Sequence, residues 1–429
     1  MKRLSRILPV LSLFLLAVFF QSAQSAEPVT LEVWNVFDPA TNVDGRSMTE
    51  KFREYEKLNP GVTIKHNVMV YADLKQKAVI AGQAQQGPDH LHMLGEWVPE
   101  FSRMGIIEDI TSQAKAWSDY NKFPQTTWNV STVNDRIFGL PSIASTRVLL
   151  YREDLLKKAG FPKVPTNWQE LREAAKKIAA DVGPDGKPKV YGFAFCSAST
   201  AIRGPQEFAV HLWSTGADLV KRSGDRWVPG FTPEQAAEVF QFYYDLMFVD
   251  KSAPPFSIGW EYQELDSAFQ AGTIAMAQNG AWMKRRADES ESGKAWKTAY
   301  YPYAKVPATY LEVKIEGISK FSKHKKETWE FMKWLYSRDN DVYISQTGNL
   351  PSRLDAKESK YWVADKVWRD TFLESAAFGH PMPPIPTTPI LKGSMESLQE
   401  VLYKRMSPQD AGKDYFNKVK TYLDTSVNK

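Results

Sequence analysis

The sequence contains one cysteine, Cys196, in 429 residues, so no disulfide can form within the chain. This residue lies inside the apolar run YGFAFCSAS, and nothing basic or histidine-rich flanks it to lower the pKa of its thiol. We interpret it as a small buried side chain rather than a nucleophile. Without cross-links the chain depends on hydrophobic burial, and 429 residues exceed one ordinary core, so two lobes are expected.

An excess of charge of either sign is also missing once the first 25 residues are set aside. Those residues hold three of the 54 Lys and Arg side chains, so 51 cations face 50 Asp and Glu in the rest of the chain. A net charge of about +1 gives no reason to expect a nucleic acid or another acidic polymer as a partner.

Residues 1–25 have the pattern of a secretory signal peptide. Basic residues at positions 2, 3 and 6 precede an apolar run over residues 7–20, and the segment AQS at 23–25 offers small residues for cleavage. The apolar run is shorter than the ~20 residues of a membrane-spanning helix. No cysteine sits at the cleavage junction itself, so we expect a freely diffusing exported protein without a lipid anchor.

No nucleophile–base signature, Walker loop or zinc-binding spacing occurs in the sequence. His90 and His92 point to the same face of a predicted strand, but no partner carboxylate or histidine is identifiable from the sequence. We therefore expect neither a metal nor a cofactor. Acidic pairs such as Glu153-Asp154 lie beside Lys and Arg on predicted helices, which is typical of a solvated face.

Strands and helices alternate from the start of the exported chain. VTLEVWNVF, VTIKHNVMV and HLHML are predicted strands, and SMTEKFREYEKLNPG and YADLKQKAVIAGQAQQG are the predicted helices between them. This alternation predicts an α/β fold with a mostly parallel sheet, in which ligands meet the loops at the carboxyl ends of the strands. Trp34, Tyr71, Glu96 and Trp97 fall at those ends.

The alternation restarts after a connecting segment, FGLPSIAS, at residues 138–145. RVLLY is the next predicted strand, and REDLLKKAG is a short helix closed by Gly160. Thr166 and Gln169 form a capping-box pattern at the start of a longer helix, and VYGFAF is predicted to be a further strand. The connecting segment therefore joins two α/β units, and the final third of the chain is predicted to be mainly helical.

Several segments together resemble a known family. They are FGLPSIASTRVLLYREDLLKKAGFPKVPTNWQEL, FQAGTIAMAQNGAWM, GISKFSKHKKETWEFMKWL, GNLPSRLD and MSPQDAGKDYFNKVKTYL. The chain resembles the family 1 extracellular solute-binding proteins, the sugar-binding receptors of ABC importers related to the maltose-binding protein, over nearly its whole exported length.

The resemblance implies a two-lobed periplasmic-binding-protein fold with discontinuous lobes joined by hinge strands. The implied crossings lie near residues 138–145, 310–314 and 347–353. The N-terminal lobe would then comprise residues 26–141 plus 312–348, and the C-terminal lobe residues 146–308 plus 354–429.

The resemblance also implies a function. The expected function is that of a monomeric periplasmic receptor, which captures a mono- or oligosaccharide between its lobes and delivers it to the membrane permease of an ABC importer. Such a receptor catalyses nothing. Two alternatives stay open. The same fold could bind a sugar acid, a glycerol phosphoester or another polar solute. A secreted glycoside hydrolase would also be exported and rich in aromatic residues, with two carboxylates flanking the scissile bond.

A sugar presents an apolar face of C–H groups and a rim of hydroxyls, so its receptor needs flat aromatic side chains and fixed charged or amide groups. Positions that match the family and aromatics at strand ends supply the candidate ligand-binding residues, which are Trp34, Tyr71, Glu96, Trp97, Ser145, Arg147, Gln206, Trp260, Trp282, Glu312, Lys314 and Arg353. Arg203, three residues before Gln206, is a further candidate in the same loop.

One departure from the family pattern bears on the ligand. Where many sugar binders carry Gly-Gly-Trp, this chain has Glu312, Val313 and Lys314, so the usual stacking tryptophan is missing there. Residues two apart on a strand share a face, which places Lys314 beside both Glu312 and Glu316. An internal ion pair is one interpretation of this lysine, and an anionic group on the solute is the other.

Overall fold

The computed structural model describes residues 27–40, 43–198, 202–345, 349–362 and 368–428, and all structural statements concern these residues. The predicted signal peptide, residues 1–25, lies outside them. Within these ranges no helix has the length and apolar character needed to cross a membrane.

Strands occur in both halves of the chain. In chain order they are β1 (Val29–Asn35), β2 (Val62–Val68), β3 (His90–Leu94), β4 (Thr132–Val133), β5 (Arg136–Ile137), β6 (Leu140–Ser145), β7 (Val148–Arg152), β8 (Val220–Ser223), β9 (Arg226–Pro229), β10 (Met276–Asn279), β11 (Trp296–Ala299), β12 (Thr309–Tyr310), β13 (Glu312–Ile318), β14 (Leu350–Pro351) and β15 (Gly379–His380).

The α-helices pack around these strands and dominate the C-terminal part of the chain, as predicted. In chain order they are α1 (Val43–Leu58), α2 (Tyr71–Gln83), α3 (Val98–Met104), α4 (Thr111–Ala116), α5 (Gln125–Val130), α6 (Glu153–Lys158), α7 (Trp168–Ala179), α8 (Arg203–Ser214), α9 (Pro233–Tyr244), α10 (Tyr262–Gln270), α11 (Met283–Glu289), α12 (Lys325–Leu335), α13 (Arg338–Ser345), α14 (Arg369–Ser375), α15 (Thr388–Leu402) and α16 (Pro408–Tyr422).

The first lobe is built on a six-stranded sheet with the order β14-β6-β13-β3-β1-β2. The predicted β-α-β-α-β start is confirmed, and β1 pairs in parallel with both β2 and β3. The prediction of a mostly parallel sheet is wrong, because β13 runs antiparallel to β3 and β6, and β14 runs antiparallel to β6. These strands do not follow a helical crossover of the kind that returns a chain parallel to its neighbour.

The second lobe contains a three-stranded sheet, β10-β7-β11, in which both pairs are antiparallel. The predicted VYGFAF strand makes only isolated bridges here, from Tyr191 to Ile274 and from Ala194 to Ala277. The ladder is interrupted because the backbone N–H groups of Gly192 and Phe193 both donate to the carbonyl of Ser252 instead.

Each lobe has its own buried hydrophobic side chains, as the length of the chain predicts. In the first lobe Leu31 of β1 packs with Phe52 of α1 and Phe331 of α12. In the second lobe Phe208 of α8 packs with Phe240 of α9. These two cores make the molecule an α/β protein of two lobes.

The start of α7 differs by one residue from the prediction. Asn167, not Thr166, is the N-cap, and its side chain accepts a hydrogen bond from the backbone N–H of Glu170. The Glu170 carboxylate in turn accepts from the backbone N–H of Thr166. Glu170 therefore takes the place expected for Gln169, because the helix begins one residue later.

The chain passes from the first sheet to the second between Ser145 of β6 and Val148 of β7. A second passage lies between β12 and β13, at residue 311. For the third, residues 346–348 lie outside the described residues, and β14 still belongs to the first sheet. Tyr361 also packs against Tyr343 of α13. Leu350 of β14 also packs in the second-lobe cluster with Val148, so the lobe boundaries and the third crossing near 347–353 stay predictions.

Candidate functional site

Arg147 occupies the first passage between the sheets and joins three elements. Its guanidinium Nη2 donates to Gln206 Oε1 on α8 at 2.9 Å and to Glu312 Oε2 on β13 at 2.8 Å. Its backbone N–H donates to the hydroxyl of Thr309 on β12 at 2.8 Å. The side chain is only 3% exposed, so the two chain passages are tied together by a buried charged group.

Glu312 also forms an ion pair with Lys314, two residues along the same strand. Burial raises the pKa of Glu312, but Arg147 and Lys314 outweigh this effect and lower that pKa to about 2. The predicted internal ion pair is thus present, with Glu312 as the partner. Glu316 lies instead against His90 and His92, at 2.9 and 2.7 Å.

Aromatic rings lie against the cations of this region. The guanidinium carbon of Arg147 lies 5.3 Å from the ring centroid of Tyr310, and Lys314 Nζ lies 4.8 Å from that of Tyr71. The guanidinium carbon of Arg203 lies 5.7 Å from the ring centroid of Tyr262. Cations over aromatic faces attract the ring quadrupole, so these contacts hold both partners in place.

Trp282 is positioned by Gly280, the residue that follows strand β10. A Cβ atom on Gly280 would lie 1.9 Å from the Trp282 ring, so only glycine allows the indole to fold back over the backbone. The indole is partly exposed, and it borders the second-lobe cluster that includes Val148 and Met283.

The N-terminus of α8 adds a second buried ion pair. Arg203 donates to Asp266 on α10 at 2.9 Å, and Arg286 on α11 reaches the other carboxylate oxygen at 2.8 Å. Asn279 also donates to Asp266, at 3.0 Å. Asp266 is thus held by three side chains from three elements.

On the first-lobe side, Glu96 accepts a hydrogen bond from the Tyr310 hydroxyl at 2.7 Å. Burial raises the pKa of Glu96, and the bond from Tyr310 opposes that shift in part. The Tyr71 hydroxyl lies 3.2 Å from His92 Nε2, and the edge of its ring meets Trp97 at 5.8 Å between centroids. Trp97 is buried and acts here as a support for Tyr71.

We call this set the crossing cluster, because it gathers where the chain passes between the lobes. Its members are Tyr71, Glu96, Arg147, Arg203, Gln206, Tyr262, Asp266, Trp282, Tyr310, Glu312 and Lys314. Ser145 adjoins it, with its Oγ 3.5 Å from Arg147 Nη1.

Three predicted site residues make their described contacts elsewhere. Trp34 lies in the first-lobe core beside α2, where its indole N–H donates to Glu32. Trp260 packs against Phe256, with ring centroids 5.4 Å apart. Arg353 is paired with Asp119 and Asp355 within the first lobe. These contacts do not bring Trp34, Trp260 or Arg353 into the crossing cluster.

Three members were not among the candidate residues. Tyr310 stands at the edge of the predicted second crossing, and that position was a usable signal. Tyr262 and Asp266 lie on α10, far along the chain from their partner Arg203, and no spacing in the sequence points to them. Tertiary packing of α10 against α8 creates their role.

His90, His92 and Glu316 form a buried network inside the first lobe. Glu316 accepts from the Ser142 hydroxyl at 2.6 Å as well as facing both histidines. In the part of the chain that the structure describes, no group of three or more His, Cys, Asp or Glu side chains is placed to hold a metal ion.

A surface groove of about 550 Å³ lies away from the crossing cluster, between α7 and α9. Trp168, Arg172, Glu238 and Asp245 line it, together with Phe242. None of these residues contacts Arg147 or Trp282 in the described hydrogen bonds and ion pairs, so the groove adds nothing to the cluster.

The molecule has two lobes, and charged and aromatic side chains gather where the chain crosses between them. These features define the class of two-lobed binding proteins. The sequence model of the family described as bacterial extracellular solute-binding protein matches residues 39–342. The match spans well over half of the chain, and the chain belongs to this family.

Relatives and solved structures are similar over most of the chain. A Brucella abortus (strain 2308) protein named as a binding protein is 25% identical over 345 residues, 79% of this chain and 81% of that protein. The galactooligosaccharide-binding protein of Bacillus subtilis (strain 168) is 22% identical, over 80% of this chain and 78% of that protein. An ABC transporter solute-binding protein of Thermotoga lettingae TMO, bound with α-D-tagatose, matches at 25% identity with a TM-score of 0.81, over 92% of this chain and 99% of that one.

Proposed function

We propose that the protein is a periplasmic receptor that binds a mono- or oligosaccharide between its lobes and delivers it to the membrane permease of an ABC importer. In this proposal it acts as a monomer and catalyses no reaction. The crossing cluster is the observation that carries the proposal.

The cluster supplies the two kinds of group that a sugar requires. Four aromatic rings, those of Tyr71, Tyr262, Trp282 and Tyr310, offer flat surfaces for C–H faces. Charged and amide groups fixed by one another, such as Arg147 and Gln206, offer hydrogen bonds to hydroxyls. Family membership and the named ligands of the relatives, a galactooligosaccharide and α-D-tagatose, support a saccharide as the solute.

The direct test is calorimetric titration of the protein without its first 25 residues against mono- and oligosaccharides. We expect a dissociation constant of about 1 μM, or about −8 kcal/mol, for the natural ligand class. Bound ligand should also raise the unfolding temperature by mass action. Release of reducing ends over a long incubation would contradict the proposal and favour a glycoside hydrolase.

Lobe closure gives a second readout. A ligand that contacts both lobes selects a closed arrangement, so small-angle scattering should show a smaller radius of gyration at saturation. Superimposable curves with and without a bound saccharide would contradict binding between the lobes.

A further inference from the structure

Cations outnumber carboxylates in the ion pairs of the crossing cluster. Glu312 is contacted by both Arg147 and Lys314, at 2.8 and 2.5 Å. Asp266 is contacted by both Arg203 and Arg286, at 2.9 and 2.8 Å. Among the described residues, each of these carboxylates is therefore paired with two cations.

The carboxyl groups of Glu207 and Glu96 also lie close to these cations. Burial raises the pKa of Glu207 to about 8, although Arg203 opposes that shift, so this side chain is largely protonated at neutral pH. Glu96 accepts from the Tyr310 hydroxyl, and burial raises its pKa as well. Neither carboxyl group forms an ion pair with Arg147, Lys314 or Arg203 among the described residues.

Two buried donors next to each other also have no acceptor. Arg147 Nε and Gln206 Nε2 are both buried and make no hydrogen bond in the structure. The two side chains are adjacent, because Arg147 Nη2 donates to Gln206 Oε1 at 2.9 Å. A buried donor without a partner is costly, so this pair is suited to a ligand that brings acceptor oxygens.

We propose that the saccharide carries an anionic group, a carboxylate or a phosphate, and that the guanidinium of Arg147 and the amide of Gln206 hold its oxygens. This inference rests on the proposed function. Guanidinium groups match carboxylate and phosphate oxygens in geometry as well as in charge. Gln206 lies on a second-lobe helix and Glu312 in the first-lobe sheet, so separation of the lobes would expose the donor pair to an entering ligand.

The first experiment compares matched ligands by calorimetry at low ionic strength. The probes are galactose, galacturonate and galactose 1-phosphate, the same three forms of glucose, and cellobiose with cellobiuronate. We expect one acidic form to bind at least about tenfold more tightly than its neutral counterpart. Comparing the uronate with the phosphate of the same sugar shows whether the site prefers a carboxylate or a phosphate group. Neutral forms that bind as tightly or more tightly would overturn this inference and leave the saccharide receptor standing; no binding by any member would contradict both.

The second experiment changes the charge of the cluster with little change in shape. Gln206→Glu places a carboxylate beside Arg147 and should weaken binding of the acidic form about tenfold more than binding of the neutral form. Glu312→Gln removes a carboxylate and should tighten the acidic form severalfold. Arg136→Gln, on an exposed strand of the first lobe, removes one cation far from the cluster and serves as the control.

Thermal unfolding of each variant establishes that it folds before its binding is compared. An unchanged ratio of acidic to neutral affinity in both Gln206→Glu and Glu312→Gln would overturn the inference. So would an equal change of that ratio in Arg136→Gln, since the effect would then come from net charge rather than from the cluster.

Discussion

The guanidinium carbon of Arg147 lies 4.7 Å from the centroid of the Trp282 ring, and that of Arg203 lies 5.2 Å from the same centroid. One cation comes from the first chain passage and the other from the start of α8. Trp282 is therefore positioned by two guanidinium groups and by the absence of a side chain on Gly280, as well as by the hydrophobic cluster that it borders. Its role in binding can therefore be tested apart from its role in folding.

Trp282→Ala should weaken saccharide binding by about 2 kcal/mol or more, because it removes a flat surface that is partly exposed at the cluster. The unfolding temperature should change little. Trp296→Ala is the matched comparison, since Trp296 is 1% exposed and packs closely on Phe269. Truncating a buried tryptophan costs about 3–5 kcal/mol of stability. Should the two variants lose similar stability, Trp282 is a core residue and the site lies elsewhere.

Gly280→Ala should displace the Trp282 indole, because the new methyl group would lie 1.9 Å from its present position. We expect weaker binding and a shifted tryptophan emission spectrum. Gly259→Ala is the control, because a methyl group there would meet no atom within 4 Å. Wild-type affinity and emission in Gly280→Ala would show that the indole is not held in this place.

The first half of the fold follows closely from local sequence patterns. The run from β1 to β3 was predictable because alternation and helical periodicity are local signals. The presence of two lobes was predictable from the length of the chain. The antiparallel placement of β13 and β14 was not predictable. These strands lie more than 150 positions along the chain from their partners β3 and β6. No local pattern fixes the direction of such a pairing.

Only some members of the crossing cluster were among the candidate residues from the sequence. Arg147, Glu312 and Lys314 were found through the resemblance to a family, and strand parity correctly placed Lys314 beside Glu312. Trp34 stands at the end of a strand as predicted, but its side chain faces α2, with Lys77 Nζ 4.1 Å from its ring centroid. Alternation along a strand divides its side chains between two faces of the sheet. Only the packed structure shows which of those faces a helix covers.

Cys196 should be unreactive toward a thiol reagent in the native protein. Its side chain is 0% exposed, and burial raises the pKa of its thiol well above the ordinary value. Reactions of cysteine require an accessible thiolate, so both effects act in the same direction. The measurement is absorbance after adding a disulfide reagent at pH 8. One equivalent should react after unfolding in guanidinium, and rapid reaction without denaturant would contradict the buried placement.

Glu207→Gln should remove a pH dependence of stability. In the folded protein burial raises the pKa of the Glu207 carboxyl from 4.5 to about 8, against an opposing effect of Arg203. Between these pH values the native state holds a proton that the unfolded chain releases. The contribution of this proton to stability is therefore complete below pH 4.5 and is lost as the pH rises through about 8. The variant has no group to titrate there.

Urea unfolding at pH 5, 7 and 9 measures this difference. The free energy of unfolding of the variant should rise relative to that of the wild type as the pH increases, by an amount on the order of a few kcal/mol between the extremes. The amide oxygen that the substitution introduces can still accept the hydrogen bond that Cys196 donates from its backbone N–H to the Glu207 carboxylate. Glu238→Gln, on α9, removes one solvent-accessible carboxyl group and serves as the matched control. Parallel curves for Glu207→Gln and the wild type would mean that the Glu207 carboxyl ionises as readily in the folded protein as in the unfolded chain.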